Sequence, residues 1–210
     1  MSRKVGLLTV LILAIPIMSR ADSQVDFSDH GGSLTGSSQG LSLTGSTLSG
    51  MEGYDGGGWS GNLGILSFRT GALISGSLSS DATFAAGGAF SVAGNGSNGL
   101  PSGTIFRGTF SGPLTWQLST HDGTHTYTLS GYVTGTITIG GQTYRVTGAP
   151  VQWTINTGTG YFDGRSSDIR GHTTLMYRVP EAGSFSMLTA CAITLIGAFG
   201  IGLIRRKRTI

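Results

Sequence analysis

Residues 133–148 read VTGTITIGGQTYRVTG, and this stretch decides the fold class. Apolar and polar residues alternate on both sides of Gly140 and Gly141, the period of a strand with one face buried. A two-residue primed turn needs positive φ at both central positions, which two glycines supply. That turn sets the register. Ile139 faces Gln142, Ile137 faces Tyr144, Gly135 faces Val146 and Val133 faces Gly148, all on the apolar face. Thr138 with Thr143, Thr136 with Arg145 and Thr134 with Thr147 form the solvated face. A half-buried antiparallel sheet is what this alternation encodes.

The pattern extends outward in both directions. Tyr127 and Leu129 share the parity of Val133, so the first strand is long, with Gly131 and Gly135 as places for a bulge. Phe106, Phe110, Leu114, Trp116 and Leu118 share even parity, interrupted by Ser111, Gly112 and Pro113, which read as a turn. Val151, Trp153 and Ile155 change parity across Pro150, and Ile169, Thr173 and Leu175 offer a last strand. Eight to eleven short strands follow, with no helical period between the two ends of the chain. The expected architecture is a single all-β domain over residues 62–178, an antiparallel sandwich or barrel. Before it, residues 22–61 are rich in Gly, Ser and Thr and partly of low complexity. The pentapeptide SLTGS occurs there at 33–37 and again at 42–46. Two copies are too few for a β-helix to bury a core.

The ends of the chain are different in kind. Residues 1–21 carry Arg3 and Lys4, then an apolar run from Val5 to Met18, then Ser19, Arg20 and Ala21 before Asp22. A basic start, an apolar middle and a small-x-small site describe a secretory signal peptide cut between Ala21 and Asp22 by signal peptidase, after a Sec-type export machinery has carried the chain across the inner membrane. At the other end, Phe185 to Ile204 are 20 residues without a charge, which at about 1.5 Å per residue match a hydrocarbon core of about 30 Å. Arg205, Arg206, Lys207 and Arg208 follow, and a basic cluster beside a span stays on the cytoplasmic side.

Val179, Pro180, Glu181, Ala182 and Gly183, followed by that single span and the Arg-rich terminus, resemble the PEP-CTERM sorting signal of Gram-negative bacteria. Ala182 stands where the family has a second proline. The resemblance covers only residues 179–208. It implies recognition and removal of the tail by exosortase, a membrane-embedded cysteine protease, a transient stay in the inner membrane, and a destination at the cell surface or outside it, in exopolysaccharide or biofilm. It implies nothing about what the body does.

Without its ends the chain changes character. The formal charge of +3 rests on the termini, whereas residues 22–183 hold 6 basic and 10 acidic residues for a net charge of −4, with no Lys. Nucleic-acid binding needs clustered Lys and Arg, so that class is excluded. Cys191 is the sole cysteine and lies in the apolar run, so the body folds without disulfides.

Few residues of the body promise chemistry. His121 and His125 would share a face on a helix, but Asp122 and Gly123 form a hairpin turn that points the two imidazoles to opposite faces. Glu52 with Asp55, and Asp163 with Asp168, are close enough in sequence for paired-carboxylate hydrolysis, yet both pairs lie in glycine-rich connectors where solvated turn Asp is the ordinary case. Residues 162–168 make only part of a calcium loop, and residues 94–99 lack the Lys and following helix of a phosphate loop. No catalytic nucleophile, metal site or cofactor is implied. Trp116 and Trp153 fall on core parity; Trp59, with Tyr54 near it, reads either as a cover for one end of the core or as a candidate glycan contact. The expected function is that of an exported surface or matrix protein with a structural or adhesive role. An exported polysaccharide hydrolase or a carbohydrate-binding module is the alternative.

Overall fold

The structure, a computed structural model, describes residues 20–180, with side chains described for residues 23–177. Within it, Asp22–Arg178 forms one compact unit. The strands are β1 (Arg20–His30), β2 (Ser33–Ser37), β3 (Gly40–Tyr54), β4 (Gly57–Arg69), β5 (Leu73–Gly76), β6 (Ala82–Phe84), β7 (Gly87–Asn95), β8 (Ser102–Phe110), β9 (Leu114–His121), β10 (Thr124–Ile139), β11 (Gln142–Gly158), β12 (Arg165–Ser166) and β13 (Ile169–Pro180), with one 3-10 turn at Ser97–Gly99. Eight of them close a ring in the order β11-β13-β1-β3-β4-β7-β8-β10, and β10 pairs back to β11. Of the two architectures that the alternation allows, the chain adopts the barrel. Closure removes the free edges that an open sheet would present to other chains.

The hairpin of residues 133–148 folds nearly as its pattern dictates. Gly140 and Gly141 have φ of 55° and 77°, and the pairs from Ile139–Gln142 to Gly135–Val146 all form. Beyond them the expected pairs fail. Val133 lies opposite Ala149, not Gly148, and Thr134, which pairs with Thr109 of β8 on its other side, has no partner on β11; its Oγ1 instead accepts a hydrogen bond from the Gly148 N–H at 3.2 Å. Gly148 takes φ of 64° in a bulge, and this extra residue, not Pro150, changes the parity that brings Ala149, Val151, Trp153 and Ile155 inward.

Ser111–Gly112–Pro113, expected as a turn, is a kink. β8 and β9 lie one after the other along the same edge of β10, with Phe110 opposite Val133 and Thr115 opposite Ser130, and the Ser111 N–H donates to the Tyr132 carbonyl between them. The same happens on β3, where β1 pairs with residues 47–52 and β2 with residues 40–44. At both places the interrupted strand leaves the ring as a branch. β9 carries β6 and β5, and β2 carries β12.

The Gly/Ser/Thr-rich stretch 22–61 therefore does not precede the β domain: it supplies β1, β2, β3 and the start of β4, and the barrel begins at residue 20 instead of residue 62. The repeated SLTGS folds on itself. Its first copy is β2 and pairs with Gly40–Thr44, so that Leu34 meets Leu43 and both are buried. Val25, Phe27, Leu41, Leu43, Leu48 and Met51 alternate with Gly, Ser and Thr along these strands and are fully buried.

The lumen is filled with side chains. Trp153 packs against Phe68, Phe90 and Phe110 with ring centroids 4.4, 5.8 and 6.5 Å away. A second cluster lies between the two branches: Trp116 stacks on Tyr127 at 4.8 Å and meets Phe162 edge-on at 5.2 Å, while Phe162 also lies beside Gly36 of β2. The Trp116 indole donates to the Leu78 carbonyl and the Tyr127 hydroxyl to the Ser79 carbonyl. The 77–81 loop is held down by these two bonds.

The first strand and the last are neighbours. Thr174 Oγ1 donates to Asp26 Oδ1 at 2.6 Å, and the Gly31 N–H donates to the Ile169 carbonyl. Because β1 and β13 run antiparallel, the start of β1 and the end of β13 leave the same end of the barrel, beside the 55–56 and 140–141 hairpin tips. The expected signal peptide falls outside the described residues apart from Arg20 and Ala21, which open β1. Val179 and Pro180 close β13, and the rest of the sorting signature, the apolar run and the basic cluster also fall outside. Among the described residues no helix is long and apolar enough to cross a membrane.

Replacing Trp153 by Ala leaves a cavity among three phenyl rings and is expected to destabilise the barrel by about 3–5 kcal/mol in denaturant unfolding. Ile74→Ala, at a residue 60% exposed, is expected to stay within about 0.5 kcal/mol of the parent. Equal effects for the two would contradict the placement of Trp153 in the lumen.

Candidate functional site

The residues that drew notice in the sequence are mostly dispersed. His121 and Thr124, and Thr120 and His125, face each other across the Asp122–Gly123 turn. The His121 side chain is 91% exposed, whereas His125 is buried, stacked on Tyr161 at 4.3 Å and bonded through Nδ1 to the Thr120 hydroxyl. The two imidazoles therefore lie on opposite faces. Asp163 accepts from the Arg165 N–H inside its own turn, as a turn carboxylate does, and Asp168 lines a hollow of about 560 Å³ beside His30 and Arg170. Asp55 sits in the β3–β4 turn with φ of 47°. Asn95 bonds Ser97 within the glycine-rich 94–99 loop. Among the described residues no group of three or more His, Cys, Asp or Glu stands together to hold a metal ion.

Tyr54 and Trp59 are brought together at the end where the chain enters and leaves. Tyr54 is 5% exposed, meets Trp59 edge-on at 5.8 Å, and donates its hydroxyl across to the Thr138 carbonyl of β10. Trp59 is half-buried over Gly57, with Tyr177 and Tyr144 as further aromatics at the same end, 5.1 Å apart. Burial pushes the Tyr54 and Tyr177 hydroxyls up from their ordinary pKa, with Asp55 adding to both. In this arrangement Tyr54 and Trp59 cover the end of the lumen.

Two places that sequence reading does not single out stand apart. The first is inside. Asp29 occupies a core position of β1, 3% exposed, after a bulge between Ser28 and Asp29. Its Oδ2 accepts from the Ser46 hydroxyl at 2.6 Å; its Oδ1 and the Trp153 indole N–H both lie over Gly171, and neither has a hydrogen-bond partner. Gly171 is what lets them approach, since a Cβ there would stand 2.0 Å from Asp29 Oδ1 and 2.3 Å from Trp153 Nε1. Burial raises the pKa of Asp29 above 3.8, and the Ser46 hydroxyl, the Trp153 indole and the His30 and His172 imidazoles oppose that rise without overcoming it.

The second place is outside, on the wall formed by β10, β11, β13, β1 and β3. The β11–β13 ladder is interrupted between Val146–Tyr177 and Val151–Thr173, and a groove of about 420 Å³ opens there over Tyr132, Pro150, Gln152, His172 and Thr174. A smaller hollow of about 240 Å³ adjoins it over Gln24, Asp26 and Glu52 and shares His172 and Thr174. Asp26 is well held: Oδ1 accepts from Thr174, Oδ2 accepts from the Gln24 amide at 2.7 Å, and His172 Nε2 stands 3.8 Å away. Glu52 lies directly across the ladder from Asp26 and is exposed. Tyr132, at the far side, is 56% exposed. The arrangement offers an aromatic face, amide, imidazole and hydroxyl groups, and a pair of carboxylates. Nothing in the sequence announces it, because its residues come from five strands spread over 150 positions.

A raised folded-state pKa means that the native protein holds its proton more tightly than the unfolded chain. The Asp29 contribution is therefore fully favourable below the ordinary carboxylate pKa of 3.8 and is lost as pH rises through the folded value. Asp29→Asn removes that loss while keeping an acceptor for Ser46. The variant is expected to melt at or above the parent at neutral pH, with the difference closing below pH 3.8. Melting curves of the two proteins across that range that ran parallel would show that Asp29 does not titrate with folding.

No family model matches the chain, and neither a curated protein nor a solved structure matches it.

Proposed function

We propose that this is an exported barrel protein, sorted by an exosortase-type system to the cell surface or the extracellular matrix, with a structural or adhesive role in exopolysaccharide. The observation that carries this reading is the tripartite tail: Val179 to Gly183, the uncharged run to Ile204 and the basic cluster Arg205 to Arg208. The fold is compatible with such handling. The compact unit Asp22–Arg178 lies between the two expected processing points, and the start of β1 and the end of β13 are neighbours, so removal of a leader and a tail leaves the ring intact. In this reading signal peptidase and the Sec-type machinery act first, the tail then holds the protein transiently in the inner membrane with its C-terminus cytoplasmic, and exosortase releases it.

A binding role is favoured over hydrolysis by one observation. Asp26 and Glu52 face each other across a ladder on an open outer wall, and Asp26 is already held by two donors. Paired-carboxylate hydrolysis holds the scissile bond between the two groups, and an open wall does not enclose one.

Intact mass and cell fraction, measured in the native host with and without its exosortase, test the sorting. A mature species that lacks both ends and leaves the inner membrane only when exosortase is present is the expected result. A tail that persists in the inner membrane in both strains would overturn it and make the tail a permanent anchor.

A further inference from the structure

The outer-wall groove has a chemistry that narrows what it can take. Its apolar element is a ring, Tyr132, more than half exposed and set between Pro113 and Pro150. Its polar lining is hydroxyl, amide and imidazole, from Thr115, Ser130, Gln152, His172 and Thr174, with Gly131 and Val151 between them. A row of side chains crosses the wall through Tyr132, Pro150, Thr174, Asp26 and Glu52, on β10, β11, β13, β1 and β3. At a strand spacing of about 4.8 Å, four spacings give the row a length of about 19 Å. That is an extended track for a chain molecule.

Several ligand classes fit poorly. A lipid chain would find an apolar trough only at Tyr132 and its prolines. A nucleic acid or another polyanion would meet Asp26 and Glu52, with no Lys anywhere on the body. A peptide adding itself as a strand needs a free edge, and the interrupted stretch of the β11–β13 ladder is a few residues long and includes Pro150, which has no N–H to give. What remains is a molecule with apolar ring faces and a dense rim of hydroxyls, since a flat aromatic with hydrogen-bonding neighbours complements both.

The carboxylates refine the class. Like charges directly opposite on a ladder are destabilising, yet Asp26 and Glu52 face each other across β1 and β3. A cationic group between them removes that repulsion. Thr174 and Gln24 already hold Asp26 in place, while Glu52 has no hydrogen-bond partner among the described residues and remains open to a ligand.

We propose that this groove is a glycan-binding site, in which Tyr132 takes the apolar face of a sugar ring and the Asp26–Glu52 pair takes an amino-sugar unit of the same chain. The proposal rests on the exopolysaccharide reading for its biological setting only. Its residues and ligand class come from the wall itself.

Binding of three soluble probes to the purified full-length chain in mild detergent tests it: hexamers of glucosamine, of N-acetylglucosamine and of a uronic acid, measured by calorimetry at low salt. The glucosamine hexamer is expected to bind best and the uronic acid hexamer not at all. Tyr132→Ala is expected to weaken glucosamine binding about tenfold, the loss of one aromatic stacking contact. Glu52→Gln is expected to bring the glucosamine and N-acetylglucosamine hexamers to equal affinity. Both side chains are exposed, so Tyr132→Ala is expected to melt with the parent and Glu52→Gln, which relieves the repulsion with Asp26, at or slightly above it, which a thermal scan verifies. Failure of both sugar hexamers to bind overturns the proposal, as does uronic acid binding at equal strength or full binding by Tyr132→Ala. Host fractionation plays no part in this measurement, so the glycan site and the sorting reading fail separately.

Discussion

Closing eight strands into a ring creates a lumen that side chains must fill, and here one indole fills the middle of it. Trp153 touches rings from β4, β7 and β8 and reaches towards Asp29 of β1 over the bare backbone of Gly171. Both ends of the arrangement depend on that placement. If Gly171 carried a side chain, neither the indole nor the carboxylate would have its present position; if Gly148 did not insert one residue into β11, Trp153 would face solvent. The bulge that looks like a local irregularity is the device that aims the largest side chain of the strand into the core. With no thiol in the body to form a disulfide, stability rests on this packing and on the ladder.

Asp29 is the counterweight. A carboxylate in a packed lumen costs solvation free energy, and a single Ser46 hydroxyl returns only part of it. Its position on β1 is the inward one, between strands whose other inward residues are apolar, so it orients the row Ser46, Asp29, Gly171, Trp153 across four neighbouring strands. A buried polar group of this kind discriminates against a slip in register, because a shift by one residue would turn Asp29 outward and Ser28 or His30 inward.

What the sequence discloses depends on how far apart the interacting residues are. The 135–146 part of the hairpin is legible because two glycines and strict alternation fix it within twelve residues, whereas the bulge at Gly148 just beyond it is not, and Trp116 and Trp153 are legible as core from parity alone. The stretch 22–61 misleads because Gly, Ser and Thr occupy its outward positions and many bends, so its composition is that of a linker, while its inward positions, Val25, Phe27, Leu41, Leu43 and Leu48, are those of a barrel strand. Ser111–Gly112–Pro113 misleads for a related reason: a kink that lets a strand leave the ring uses the same residues as a turn that reverses it, and only the shared partner β10 tells them apart. The candidate groove is out of reach of any local reading. Asp26 and Glu52 meet by the β1–β3 register, Asp26 and Thr174 meet because the first and last ring strands are neighbours, and Tyr132 joins them only through the interrupted β11–β13 ladder.

A filled lumen also decides where function can reside. Eight-stranded barrels that keep an interior cavity hold small ligands inside, whereas this one spends its interior on Trp153, its phenyl neighbours and the Asp29 row. One end is covered by Tyr54 and Trp59 together with Tyr144 and Tyr177, and the other is built over by the branches around Trp116, Tyr127 and Phe162. Recognition is left to the outer wall, where most positions carry short polar side chains that are well suited to water. Against that background an exposed ring between two prolines and two carboxylates facing each other are departures from the local rule, and they fall on one continuous track. That coincidence is the physical reason to look for a ligand there.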